Sequence, residues 1–152
     1  MELVINNKKY IVEYSFEAAL YEDCVTAAFN IFGGVFMAEA AQDMQKAIGN
    51  VANLPKKVVT LFYAGLLENN PAEDEQEAKG LLKQYFKEHK GEDGADFYGM
   101  IAKIGEQMRE DGFFKQIGLE AMMTAAAEEM KKVPQDHRRK EKRQKQPRAL
   151  QN

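Results

Sequence analysis

The chain has no tryptophan, a single cysteine and two histidines among its 152 residues. One thiol, Cys24, excludes an internal disulfide and fits a reducing compartment. With His89 and His137 far apart, these residues cannot assemble a thiolate or multi-histidine metal site. No apolar run approaches the roughly 20 residues needed to span a bilayer, so no membrane partner is expected. The opening Met1-Glu2-Leu3-Val4-Ile5 lacks the basic start and small-residue cleavage site of a signal peptide. A phosphate-cradling loop is also missing. Gly33-Gly34 is not followed by Lys-Ser/Thr, and Gly91-Glu92-Asp93-Gly94 would present carboxylates to a phosphate. Acidic residues are plentiful but cluster at helix starts, where capping accounts for them, and nothing supplies the burial that would tune a catalytic pair. The expectation is a protein without cofactor or metal and without enzymatic activity.

What is present suits one globular domain: 45% hydrophobic and 30% charged residues, enough to bury a sizeable core. The net charge of −3 hides a division. Between Lys131 and Arg148, nine Lys or Arg stand against Asp136 and Glu141, giving +7 and leaving −10 on the rest. The segment from Gln135 onward is almost devoid of apolar residues and cannot repay its ordering entropy. The expected organisation is a helical domain over 1–133 and a disordered basic tail over 134–152.

Along the chain, Leu3-Val4-Ile5 and Tyr10-Ile11-Val12 with Tyr14 read as two short strands. Asn6-Asn7 between them tolerates the left-handed conformations of a tight hairpin turn. Ser15 opens a helix to about Phe32, with Phe16, Leu20, Cys24, Ala27 and Ile31 inward and Gly33-Gly34 ending it. Cys24 on this stripe reads as a buried, inert thiol. Val35 to about Ile48 is a second helix, with Phe36, Ala40, Met44 and Ala47 or Ile48 inward, stopped by Gly49-Asn50. The third begins near Leu54-Pro55. There Val58, Leu61, Phe62, Gly65 and Leu66 form one face, widened by Val59, Tyr63 and Leu67 until only Lys56, Lys57 and Thr60 look wet. A helix apolar around most of its girth belongs at the centre of a domain. Gly65 within it implies a close neighbour.

Asn70-Pro71-Ala72-Glu73 reads as a capped start of a fourth helix to about Lys90, with Ala78, Leu81, Leu82, Tyr85 and Phe86 inward. Gly91 to Gly94 is a turn. Asp96 to Glu110 carries Phe97, Ile101, Ile104 and Met108. Asp111 to about Lys132 carries Phe113, Phe114, Ile117, Met122, Ala126 and Met130, with Gly118 a soft spot. The fold class is mainly α (α+β), a short N-terminal hairpin packed on a bundle of about five to six helices.

Three features suggest contact with other protein. Eight methionines, Met122-Met123 among them, make adaptable surfaces as well as cores. Phe113-Phe114 place adjacent rings on different azimuths of one helix. The basic tail, with Arg138-Arg139-Lys140, can dock on an acidic protein surface or neutralise phosphates. It carries no aromatic to stack on bases. The candidate partner-binding residues are therefore Phe113, Phe114, Met122, Met123, Arg138, Arg139 and Lys140. An alternative function is a small nucleic-acid-binding phage or plasmid protein acting through that tail.

The order of signals carries a resemblance. Val4-Ile5-Asn6-Asn7-Lys8-Lys9-Tyr10 is followed by Phe16-Glu17-Ala18-Ala19-Leu20, a Gly-Gly break, and Phe62-Tyr63-Ala64-Gly65-Leu66-Leu67. Over residues 1 to 90 this resembles the tail assembly chaperones of long-tailed bacteriophages of Gram-positive hosts. That family has an ING-K-Y hairpin, an aromatic-x-A-L helix and a YAGL helix in this order. Asn7 stands where the family usually has Gly. The resemblance implies a non-catalytic protein that coats the helical tape measure protein, helps tail tube protein polymerise around it, and self-associates. It implies action in the host bacterial cytoplasm, absence from the mature virion, and often a longer form made by ribosomal frameshifting.

Overall fold

A computed structural model describes residues 1–33, 44–69, 72–125 and 128–129. They fall into a compact unit, Met1–Leu119, and a second unit beginning at Glu120. The first unit is helical apart from one N-terminal hairpin. The expected boundary at 133/134 and the basic tail lie outside the described residues.

The hairpin pairs β1 (Glu2–Ile5) with β2 (Lys8–Ile11) antiparallel, Leu3 opposite Tyr10 and Ile5 opposite Lys8. Asn6 and Asn7 have φ of 51° and 61°. A two-residue turn with positive φ at both positions matches the strands' own twist, and asparagine is among the few side chains that accept it. Leu3 and Ile5 point inward, followed by Val12 and Tyr14, while Val4 and Ile11 face out. The turn is tied down where Asn6 N donates to Glu88 Oε1 at 2.9 Å.

The expected helix over 16–32 is broken in two: α1 (Phe16–Leu20) and α2 (Glu22–Phe32), with Tyr21 extended between them at φ −85°, ψ 100°. The break swings Tyr21 onto the next layer. Its ring meets Tyr63 edge-on at 5.5 Å and its hydroxyl donates to Glu75 Oε1 at 2.5 Å. An unbroken helix would have aligned Phe16 and Leu20 with Cys24. Instead α1 buries only Ala18, and Phe16 and Leu20 are exposed, against expectation.

Helix α3 (Met44–Leu66) runs unbroken through Gly49, Asn50 and Pro55. The expected stop at Gly49-Asn50 does not occur, because each added residue gains a backbone bond and the packed C-terminal half outweighs a glycine cost of about 1 kcal/mol. Ile48, expected inward, is exposed. Phe36 and Ala40, also expected inward, lie outside the described residues. Pro55 removes the donor that would reach the Val51 carbonyl. Beyond it Val58, Leu61, Phe62 and Leu66 are buried, as the pattern predicts. Thr60, expected wet, is buried too. Its hydroxyl returns to Lys56 O at 3.3 Å, which removes the cost of burying it.

Helix α4 (Glu75–Glu88) starts later than Asn70-Pro71 suggests, and those two residues lie outside the described set. Asp74 is the cap, its carboxylate accepting from Glu77 N at 2.9 Å, while Glu77 Oε2 accepts from Glu73 N at 2.6 Å. The cap and capping-box acid expected of Asn70 and Glu73 are thus replaced by Asp74 and Glu77, four residues on, with Glu77 reaching back to Glu73 N. Asp96 caps α5 (Phe97–Glu110) through Gly99 N at 2.7 Å. The last predicted helix is divided at Gly118, φ 80°, into α6 (Phe113–Gln116) and a helical run over 119–125.

α3 packs against α2, α4 and α5 and touches α1 and β2. The close neighbour that Gly65 implies is the hairpin's exit strand. A Cβ there would lie 2.4 Å from Val12 Cγ1 and 3.1 Å from Tyr14 Cζ. Glu13 N donates to Gly65 O at 2.9 Å, so strand and helix touch through backbone. Gly80 on α4, by contrast, faces open space. Gly65→Ala should therefore destabilise the fold by about 1–3 kcal/mol through overpacking. Gly80→Ala should stabilise it by about 0.8–1 kcal/mol. Urea denaturation of both variants checks the opposite signs.

Candidate partner-binding surface

The core's polar centre is Tyr14. Its N–H donates to Asp111 Oδ2 at 2.9 Å, its hydroxyl to Leu61 O at 2.9 Å, and its ring lies 5.7 Å from that of Phe113. Burial, with smaller effects of Cys24 and Asp111, pushes its phenol well above the usual range. Burial also pushes the Cys24 thiol up to about 12, so it stays neutral and weakly nucleophilic at pH 7. The Tyr21 phenol is raised by desolvation and by its bond to Glu75. His89 packs on Tyr85 at 4.4 Å between ring centroids and meets Glu92 at 2.9 Å. Among the described residues, no group of three or more His, Cys, Asp or Glu could hold a metal ion. No helix among them is long and apolar enough to cross a membrane.

The candidate residues from the sequence separate. Phe113 is fully buried against Tyr14 and is spent on the core. Phe114 is half-buried, 5.3 Å from the Phe32 ring. Met122, expected inward, is exposed, as is Met123; both belong to the second unit. Ala126, Met130, Arg138, Arg139 and Lys140 lie outside the described residues.

Other apolar side chains are exposed that the sequence reading had turned inward or passed over. Phe16 and Leu20, 64% and 65% exposed, stand one turn apart on α1. Ile48 and Val51, 63% and 49% exposed, share a face of α3. No local signal announces the Tyr21 break that turns the α1 pair outward. The α3 pair was findable, since Ile48, Val51, Pro55 and Val59 fall on one face once the helix is allowed to continue through Gly49.

Among the described residues, two depressions of the first unit stand out. One, about 560 Å³, lies between β1, α4 and α5, with Glu2, Glu106 and Glu110 beside Lys103 and His89. Lys103 is already engaged, its Nζ donating to Tyr85 Oη at 2.9 Å. The other, about 460 Å³, is lined by α3, α4 and the start of α5, with Pro55, Val59 and Phe97 as its apolar part and Lys56, Glu75 and Lys79 as charged groups.

Comparison with known protein families, curated proteins and solved structures returned no match.

The two raised phenols set a pH dependence. Each folded-state pKa lies above the unfolded value of about 10, so the native state keeps protons that the unfolded chain releases. Their contribution is intact below pH ~10 and is lost as pH rises beyond it. Stability by urea denaturation should fall steeply above that pH. Tyr14→Phe should flatten the fall while lowering stability at neutral pH by about 1–2 kcal/mol for the lost bond to Leu61 O.

Proposed function

We propose that this chain is a phage tail assembly chaperone: it binds the tape measure protein, promotes assembly of tail tube protein around it, and catalyses nothing. The observation that carries the reading is the exposure of large apolar side chains in helical pairs, Phe16 with Leu20 and Ile48 with Val51, on a unit whose core is already closed. Singly exposed apolar residues are ordinary, whereas pairs at helical spacing suit an amphipathic partner helix. The ordered motifs of the hairpin, α1 and α3 support the same reading, and each falls in the element that the resemblance implies. The Asn6-Asn7 turn supplies the positive φ values without the family's usual Gly.

On this reading the protein acts in the host bacterial cytoplasm, is left out of the virion, and associates with copies of itself. Weak contacts repeated along a rod-shaped partner sum to firm coating while each remains releasable. Co-expression with the long tape measure reading frame of its own genome should move that product into the soluble fraction. A product that stays insoluble, with a purified chain that instead shifts DNA in a steeply salt-dependent manner, would replace this reading with a nucleic-acid-binding one.

A further inference from the structure

We infer that the groove between α3, α4 and the start of α5 is a docking site for an amphipathic helix whose apolar stripe is flanked by acidic residues. The inference deepens the chaperone reading by assigning it one surface, and rests on that reading's claim that the partner is helical.

Three observations support the site. First, Ile48, Val51, Pro55 and Val59 recur on one face of α3, a stripe about 16 Å long at 1.5 Å per residue. Its first two members are exposed, and Pro55 and Val59 line the groove of about 460 Å³. The stripe therefore leads from open surface into a concavity floored by Phe97. This suits about three turns of a partner helix anchored at i, i+3 and i+7. Second, Phe97 is held in place by an edge-on contact with Phe86, ring centroids 5.1 Å apart, so the floor is fixed by the core rather than by a partner.

Third, the groove's charges are unequal in availability. Glu75 is committed to Tyr21 by the 2.5 Å hydrogen bond. Lys56 and Lys79 are exposed, and no ion pair engages either among the described residues. The lining thus sets two lysines against one carboxylate, a net positive rim beside an apolar patch, although the chain outside its basic segment is acidic. Carboxylates flanking the partner's stripe match that rim, and lysines there would meet like charge across a partly desolvated contact.

The test uses the full chain and two labelled peptides of about 18 residues, enough for some 27 Å of helix. Both carry Leu and Met at i, i+3 and i+7; one flanks them with Glu, the other with Lys. Fluorescence anisotropy at moderate salt should show the Glu-flanked peptide bound about ten-fold more tightly. Lys56→Glu with Lys79→Glu should invert that preference, and Ile48→Ser with Val51→Ser should weaken both peptides about ten-fold. Thermal melts of the exposed-site variants should match the parent. Equal binding of the two peptides by the unaltered chain, or none, overturns the inference without recourse to any variant. Loss of self-association rather than peptide binding in the charge-reversed chain would give the groove to a second copy, and also overturns it. Tape measure protein kept soluble by both double variants removes the groove and leaves the chaperone reading standing. Peptide selectivity without tape measure solubilisation does the reverse.

Discussion

The side chain of Tyr14 is the point on which the rest of the first unit closes. Its backbone N–H is fixed by Asp111, its hydroxyl by the Leu61 carbonyl, and its ring is held between Phe113 and the bare Cα of Gly65. The hairpin's exit, α3, the end of α5 and α6 therefore meet at one residue. A two-stranded hairpin is marginal by itself. Here its inward residues Leu3, Ile5 and Val12 join a shared core, and Tyr14 locks the exit strand to the helix beneath. The phenol is wholly buried, and a hydroxyl buried there without the Leu61 acceptor would cost about 1–3 kcal/mol.

That closure leaves two apolar pairs outside it. The hairpin is seated on the C-terminal half of α3, and Ile48 and Val51 near the other end of that helix are exposed. On α1 the exposure follows from Tyr21. Extending there satisfies its hydroxyl on Glu75 and its ring on Tyr63, and leaves Phe16 and Leu20 facing outward. The exposed α1 pair thus follows from contacts made elsewhere.

The sequence carried the core better than the surface, for physical reasons. The face of α3 from Val58 to Leu66, the inward residues Ala78, Leu82, Tyr85, Ile104 and Met108, and the close approach at Gly65 follow from helical periodicity and from glycine's small size. The Asn6-Asn7 turn was equally legible, since few residues accept positive φ. The break at Tyr21 was not, because it depends on Glu75 and Tyr63, distant in sequence. Gly49-Asn50 misled because local stop signals lose to the cooperativity of a helix anchored at its far end. Phe113 misled in the other direction: two adjacent phenylalanines cannot be told apart until Tyr14 is seen to take one of them. Candidate surface residues are therefore the hardest to read from local pattern, since each is defined by what fails to cover it.

The placement of the exposed pairs bears on how a helical partner would be gripped. Ser15, at the mouth of α1, donates to Glu68 Oε2 at 2.8 Å, so Phe16 lies by the C-terminal end of α3. Ile48 and Val51 lie toward its other end. About 15 residues of helix, or some 22 Å, separate the two neighbourhoods. A partner reaching both would bury two separate apolar patches. Each patch is too small to hold a partner firmly, since ordering and desolvation costs consume most of what limited burial supplies. Strength would then come from linking weak contacts, and falls away when the geometry of simultaneous engagement is lost. The proposed role, coating a long helical protein and then leaving it, would draw on that property, which a single deep pocket would not provide.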